Sequence, residues 1–316
     1  MTRVAGIDCG TNSIRLLVAD VDDAGRLTEL DRRMEIVRLG QGVDRTGRIA
    51  PEAMARTLAQ VERYAAACRE LGAQAIRFVA TSASRDAENR AEFVDGVRAA
   101  IGVEPEVIGG DEEARLSFRG ATSVLGGRYP GPFLVVDIGG GSTELVLGTT
   151  EVEAAVSMDV GSVRLTERHL HGDPPTPQEV AAASADVVAA LDAAARQVPL
   201  GRAATLVGLA GSVTSVTAHA LRLRRYDRAA IDASLLPADR VLDAARDLLA
   251  MDRFSRERLP FMHPGRVDVI GAGALVWAEV IGRVRAEVAA AGGHLDQVLT
   301  SEHDILDGIA LSAAGR

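Results

Sequence analysis

Near its start the chain reads Gly6-Ile7-Asp8-Cys9-Gly10-Thr11-Asn12-Ser13, and the same grammar returns at Asp137-Ile138-Gly139-Gly140-Gly141-Ser142-Thr143-Glu144. The two aspartates stand 129 positions apart (137 − 8). Each time, an apolar run ends in an aspartate, glycines and hydroxyl residues follow, and a second apolar run begins. That is the pattern of a tight hairpin whose N–H groups and hydroxyls point into one concavity. Glycine permits the positive φ values and the close backbone approach that a bulky anion demands. An aspartate at the strand end suits hydrated magnesium, which takes one or two carboxylates and completes its shell with water and phosphate oxygens. Gly10, Thr11, Asn12 and Ser13, with Gly139, Gly140, Gly141 and Ser142, are therefore candidate phosphate ligands. Asp8 and Asp137 are candidate metal ligands. Two such loops facing each other across a cleft would hold a phosphate chain and its metal.

A third turn, Gly208-Leu209-Ala210-Gly211-Ser212, follows an apolar run and precedes an expected helix. It puts Gly211 and Ser212 where unpaired N–H groups and the helix dipole favour an anion. The run Gly109-Gly110-Asp111-Glu112-Glu113-Ala114-Arg115 places three carboxylates in the first turn of another helix. They either compensate the dipole, worth ~0.3–1 kcal/mol each, or one of them points into the cleft as a general base for water. The residues alone leave that choice open. Glu144 is open in the same way, as a ligand of metal or water or as a plain strand carboxylate. Arg85 lies just beyond the end of an expected buried strand, where α/β sites assemble, and reads equally as a phosphate ligand or a solvated loop residue. Arg38 with Gly40-Gln41-Gly42 would extend a phosphate track. The histidines offer no metal-ligand spacing; His169 and His171 fall at the end of an expected helix, where they would stabilise its carbonyls. Trp277 sits in an apolar helix and reads as core.

The elements that position these residues follow from apolar period and breakers. Strands are expected at 3–8, 14–21 and 27–38, a helix over 51–71, a strand at 76–80, a helix over 87–101, a strand at 105–108 and a helix over 111–125. Then the grammar restarts with strands at 133–138, 143–148 and 152–158. The restart, after the breaker run Gly126-Gly127-Arg128-Tyr129-Pro130-Gly131-Pro132, marks a duplicated domain. Helices over 177–198, 213–223, 237–251 and 266–290, strands at 204–209 and 295–299, a polar stretch at 252–265 and a last helix over 302–313 complete the reading. The implied domains are 1–127 and 128–301, with the 302–316 segment able to join the first.

Composition narrows the function. At 316 residues and 47% apolar content the chain can bury two cores. Its net charge of −9 argues against a general nucleic-acid binder. All 35 basic residues are arginine, which excludes a Walker A lysine and a Schiff-base amine and suits bidentate phosphate contacts. Two cysteines, Cys9 and Cys68, give neither a disulfide framework nor zinc spacing. The first strand begins by Val4, too early for a signal peptide, and the longest apolar stretch, 269–282, is broken by Glu279 and too short for a membrane span. A soluble, cytoplasmic protein is expected.

Taken together, the motifs resemble the actin-like ATPase and sugar kinase superfamily and, within it, the exopolyphosphatase and guanosine pentaphosphate phosphatase family. The blocks that carry the likeness are G-I-D-C-G-T-N-S-I-R at 6–15, V-R-L-G-Q-G-V-D at 37–44, A-T-S-A-S-R at 80–85 and I-G-G-D-E-E-A-R at 108–115. V-V-D-I-G-G-G-S-T-E-L at 135–145, G-S-V-R-L-T-E-R at 161–168 and G-L-A-G-S-V-T at 208–214 extend it over nearly the whole chain. The resemblance implies an α/β fold of two ribonuclease-H-like domains with an interdomain cleft. It implies magnesium-dependent release of the terminal phosphate of inorganic polyphosphate, with manganese a substitute and potassium a stimulating ion. It also places the catalytic glutamate at Glu113, the cleft acids at Asp137 and Glu144, and the loop arginine at Arg85. At Arg266 the motif match is looser, Val267 standing for the usual alanine, and no ligand role is assigned. A long C-terminal extension found in some members is missing, which points to short polyphosphate as the better substrate. The family likeness further suggests a homodimer and a role in the stringent response. Alternatives from the same residues are 5′-phosphate hydrolysis of guanosine pentaphosphate, an ATP-dependent kinase of the superfamily, and a non-catalytic sensor of polyphosphate or of guanosine pentaphosphate and tetraphosphate.

Overall fold

The computed structural model describes residues 1–125 and 127–314. Its packing divides the chain into two units, Met1–Gly120 with the segment from Asp304 onward, and Ala121–His303. Gly126, in the breaker run read as a boundary, and Gly315 and Arg316, at the end of the 302–316 segment, lie outside the described residues.

In chain order the elements are β1 (Thr2–Cys9), β2 (Ser13–Val21), β3 (Leu27–Ile36), α1 (Val43–Thr46), α2 (Pro51–Glu70), β4 (Ala75–Ala80), α3 (Ser82–Asp86), α4 (Arg90–Ile101), β5 (Glu106–Val107) and α5 (Gly110–Leu125). They continue with β6 (Phe133–Ile138), β7 (Thr143–Gly148), β8 (Val152–Met158), α6 (Ser162–His169), α7 (Pro177–Ala194), β9 (Thr205–Leu209), α8 (Ala210–Ala220) and α9 (Arg228–Ile231). Last come β10 (Ser234–Pro237), α10 (Ala238–Ala250), α11 (Arg253–Glu257), α12 (Ile270–Ala290), β11 (Gln297–Thr300) and α13 (Ile305–Ala313).

The first unit is built on a five-stranded sheet of order β3-β2-β1-β4-β5. Its β1–β2 and β2–β3 junctions are antiparallel and its β1–β4 and β4–β5 junctions parallel. Side chains alternate across a strand, and β1 uses both faces. Ala5, Ile7 and Cys9 enter a core with Tyr64 and Cys68 of α2 and Phe93 and Val97 of α4. Val4, with Leu17, Ala19 and Val21 of β2, packs against Leu306, Ala310 and Leu311 of α13. Two glycines let α13 come close to its neighbours. A Cβ at Gly6 would stand 3.0 Å from the Ala310 nitrogen, and one at Gly120 would overlap the Asp304 carbonyl. The tie is also electrostatic. Arg15 of β2 bridges Asp8 and Asp304, the N-cap of α13, and Arg32 of β3 pairs with Asp307 at 2.7 Å.

The second unit repeats the plan. Its sheet runs β10-β11-β9-β6-β7-β8, with β6–β7 and β7–β8 antiparallel and β6–β9 and β9–β11 parallel. Read from β8, the first five strands match the order and sense of the first unit's sheet, and β10 adds an antiparallel edge. The core gathers Leu134 and Val136 of β6, Val216 of α8, Leu248 of α10, and Trp277, Val280 and Val284 of α12. Trp277 is fully buried there, as expected of a core residue.

Several boundaries move for local reasons. The third strand ends at Ile36, because the N–H groups of Val37 and Arg38 both donate to the Asn12 carbonyl and Arg38 turns left-handed. The 87–101 helix starts at Arg90, after the separate α3. The helix expected from 213 begins at Ala210, so Gly211 and Ser212 belong to its first turn. The polar stretch 252–265 contains α11, capped by Asp252, whose side chain accepts from the Ser255 N–H. The last helix begins at Ile305, behind the Asp304 cap. No helix among the described residues is long and apolar enough to cross a membrane.

Candidate functional site

The first-unit loop is a four-residue turn closed by the Gly10 N–H donating to the Ser13 carbonyl at 2.9 Å. Its carbonyls are turned away and used. Asn12 O accepts from the N–H groups of Val37 and Arg38, and Thr11 O accepts from that of Gly40 at 2.8 Å. A side chain at Gly40 would overlap Thr11. The segment 38–42, expected as a phosphate track, is thus the support that holds the loop from behind. With the carbonyls tied down, the N–H groups of Thr11 and Asn12 have no partner among the described residues. Thr11 Oγ1 shares a 2.8 Å hydrogen bond with Ser82 Oγ, which joins the loop to α3.

That helix carries Arg85. Its Nη1 donates to the Ile108 carbonyl at 3.0 Å and to Glu113 Oε2 at 3.2 Å. The three acids of the α5 start now separate. Asp111 is exposed. Glu112 is held by Arg77, whose Nη2 donates to Glu112 Oε1 at 2.5 Å and to Glu106 Oε2 at 2.8 Å. Glu113 is only 7% exposed and is the one paired with Arg85. A buried carboxylate beside an arginine can trade that partner for a proton when an anion draws the arginine away.

The second-unit loop has the same closure, the Gly139 N–H donating to the Ser142 carbonyl at 3.0 Å. Here the start of α6 provides the support. Ser162 N–H donates to Gly139 O, Val163 and Arg164 N–H to Gly140 O, and Arg164 Nε to Gly141 O at 2.7 Å. A Cβ at Gly161 would lie 2.5 Å from Gly140 O, so only glycine allows α6 this close. Among the described residues the N–H groups of Gly140 and Gly141 are again without a partner.

The hairpins differ in one register position. Directly opposite residues on an antiparallel pair share a face. In the first hairpin Asp8 faces Arg15; in the second, Asp137 faces Glu144. Arg15 Nε and Nη2 both donate to Asp8 Oδ2, at 2.9 and 2.6 Å. Burial pushes the Asp8 carboxyl up, against the pull of that guanidinium. Asp8 is therefore occupied by a structural ion pair, which does not suit the metal-ligand role expected of it. Asp137 and Glu144 are 6% and 1% exposed. Like charges in that position repel, and a cation between them relieves the repulsion. Ser157, opposite Glu144 on β8, donates to Glu144 Oε1 at 2.7 Å. Two opposed carboxylates are oxygen donors of the kind that magnesium takes. No cluster of three or more His, Cys, Asp or Glu with metal-holding geometry occurs among the described residues. Ser157 could have been found from the sequence by extending the hairpin register one strand further.

At the third turn, Ala210 adopts φ 67° and α8 begins at once. Arg266 lies over Gly211, its Nη1 donating to the Gly211 carbonyl at 3.4 Å. Ser212 is packed against Gly273 of α12, where a Cβ would overlap its hydroxyl. Gly211 thus carries an arginine close to a helix start, whereas the Ser212 side chain serves packing. His169 bonds Asp186 at 3.0 Å rather than a helix carbonyl.

Two mixed sheets on one strand plan, each ending a strand in a glycine-and-hydroxyl hairpin with free N–H groups, define an α/β protein of the actin-like ATPase type. The model of the Ppx/GppA phosphatase family matches residues 17–292. Exopolyphosphatase 2 of Mycobacterium tuberculosis is 52% identical over 100% of this chain and 99% of its own. A crystal structure of an exopolyphosphatase-like protein matches with TM-score 0.95 and 47% identity over 98% of both chains. The Aquifex aeolicus PPX-GPPA enzyme matches with TM-score 0.79 and 29% identity, over 98% of this chain and 99% of that one. The chain belongs to the Ppx/GppA phosphatase family.

Proposed function

We propose that the protein is a magnesium-dependent exopolyphosphatase, releasing the terminal phosphate of inorganic polyphosphate, with short chains among its substrates. The observation that carries this reading is the buried Glu113 carboxylate held 3.2 Å from Arg85 in a chain of a phosphatase family. Phosphoryl transfer asks the protein for positioning and charge stabilisation more than for covalent chemistry. Arg85 and the N–H groups of Thr11 and Asn12 meet oxygens of the transferring group, whose charge grows in the transition state. Once phosphate engages Arg85, Glu113 loses its ionic partner and accepts a proton from the attacking water. The water oxygen bonds to phosphorus as the bridging oxygen departs with the shortened chain.

In the second unit, Asp137 and Glu144 are the residues that would hold magnesium, with Ser157 fixing one Glu144 oxygen. When bound, the ion neutralises phosphate charge and stabilises the leaving oxygen. The N–H groups of Gly140 and Gly141, the Ser142 hydroxyl and Arg266 supply further donors for phosphate oxygens.

The test is phosphate release by purified protein from tripolyphosphate, long-chain polyphosphate, guanosine pentaphosphate and ATP, with magnesium chelated and then restored. Release from polyphosphate that stops on chelation and returns with magnesium is expected. Release from guanosine pentaphosphate alone would move the substrate to the alarmone. Tight polyphosphate binding without release would make the protein a sensor and defeat the hydrolase reading.

A further inference from the structure

The segment after α8 reads Arg222-Leu223-Arg224-Arg225-Tyr226-Asp227-Arg228, four arginines in seven residues of a chain whose net charge is −9. Arg222, Arg224 and Arg225 are exposed, and their side chains make no ion pair or hydrogen bond among the described residues. The neighbouring carboxylates, by contrast, are all engaged. Asp227 caps α9 through the Ala230 N–H, and Asp232 accepts from the Glu302 N–H. Glu302 takes the Tyr226 hydroxyl and Arg228. Asp239 pairs with Arg285, Asp243 with Arg246, and Asp247 with His219. The positive charge on this face is left over, not neutralised.

Its placement is also specific. Arg222 sits at the far end of α8, its N–H donating to the His219 carbonyl, in a left-handed conformation (φ 56°) that favours glycine. Beside it lies an open groove of about 680 Å³ lined by His219, Arg222, Arg240, Asp243 and Asp247. From there the chain runs on to Tyr226, whose hydroxyl donates to Glu302, and to Arg228, which pairs with the same carboxylate.

We infer that Arg222, Arg224 and Arg225 form a second polyphosphate-binding patch, on the second unit, which grips phosphates of a long chain. This rests on the exopolyphosphatase reading and adds a reach to it. A chain of three phosphates gains little from three separate arginines, whereas a chain long enough to engage them together binds more tightly.

The test compares the full chain with an Arg222→Ala/Arg224→Ala/Arg225→Ala variant, by titration with long-chain polyphosphate and with tripolyphosphate at several salt concentrations. Long-chain affinity should fall at least about tenfold, and the slope of log affinity against log salt should flatten by about one for each arginine that grips a phosphate in the wild type. Tripolyphosphate affinity should change far less. The corresponding Arg→Lys variant should restore most of the long-chain affinity, which a misfolded protein would not. Equal long-chain affinity and salt slope in wild type and variant overturn the inference, and so does a wild type that binds no polyphosphate. Binding of single-stranded RNA that depends on these arginines, without such dependence for polyphosphate, overturns it too. A wild type that binds long chains through these arginines but releases no phosphate leaves the patch standing and removes the hydrolase reading. Hydrolysis with no arginine dependence does the reverse.

Discussion

Glu113→Gln keeps the size of the side chain and removes its charge and its basicity. Losing general-base help lowers turnover by ~10²–10⁴-fold, or about 2.7–5.4 kcal/mol of barrier at 1.36 kcal/mol per tenfold. The structure also sets the direction of KM. Arg85 Nη1 is divided between Ile108 O at 3.0 Å and Glu113 Oε2 at 3.2 Å, so a phosphate must compete with a carboxylate for it. Glutamine competes less well, and KM should hold steady or fall while kcat collapses. Loss of one charge-assisted hydrogen bond costs up to ~1.5–3 kcal/mol of stability, and the partial exposure of Arg85 pulls this toward the lower end. The assay is steady-state phosphate release from tripolyphosphate, with a thermal melt to show that the variant is folded. Glu112→Gln is the matched control, because Glu112 is engaged by Arg77 and half exposed; its kcat should stay within a few-fold of wild type. A Glu113→Gln protein with normal kcat and a raised KM would refute the assignment, as would equal reductions in the two variants.

Three further outcomes follow from the geometry. Glu144→Gln should raise the magnesium concentration needed for half-maximal activity, and in chelator it should melt higher than wild type, because like charges opposite each other cost ~0.2–1 kcal/mol; a wild-type melting point indifferent to magnesium would contradict this. Gly120→Ala drives a methyl into the Asp304 carbonyl, which should cost ~1–3 kcal/mol and appear as a melting point lower by several degrees, whereas an unchanged melt would mean that the α5–α13 approach is not tight. The hydrogen bond from His169, then burial opposing it, leave the Asp186 carboxyl below its usual range. A depressed carboxylate contributes stability above its unfolded pKa and loses it as pH falls through the folded one, so the gap in melting temperature between wild type and Asp186→Asn should be open at neutral pH and close in acid. A gap that widens in acid would reverse the sign.

Much of the fold is legible because it is local. The strand–glycine–strand grammar of 6–21 and of 135–148 fixes both hairpins, and their closure by Gly10 and Gly139 is the same hydrogen bond. Long helices such as α2 and α12 follow from apolar period with proline or glycine at their ends. Harder to read are short elements set by a single cap, such as α11 behind Asp252, and β10, which exists only because it pairs with β11. The 38–42 segment hides a packing role for a related reason. Gly40 is small so that Thr11 can sit against it, a contact that no local pattern announces.

The sequence by itself determined the two anion-type loops and the acids near them, since hydrogen-bonding capacity and positive-φ tolerance belong to the residues themselves. Only the tertiary structure decided which acid does what. Glu112 and Glu113 are chemically identical neighbours, but one residue along a helix is about 100° of rotation, enough to hand one to Arg77 and the other to Arg85. Asp8 and Asp137 end equivalent strands, and cross-strand register gives the first an arginine and the second a glutamate. Arg266 reaches Gly211 across 55 positions of chain. Such pairings are long-range, and no local pattern encodes the partner that a side chain meets once the core has closed around it.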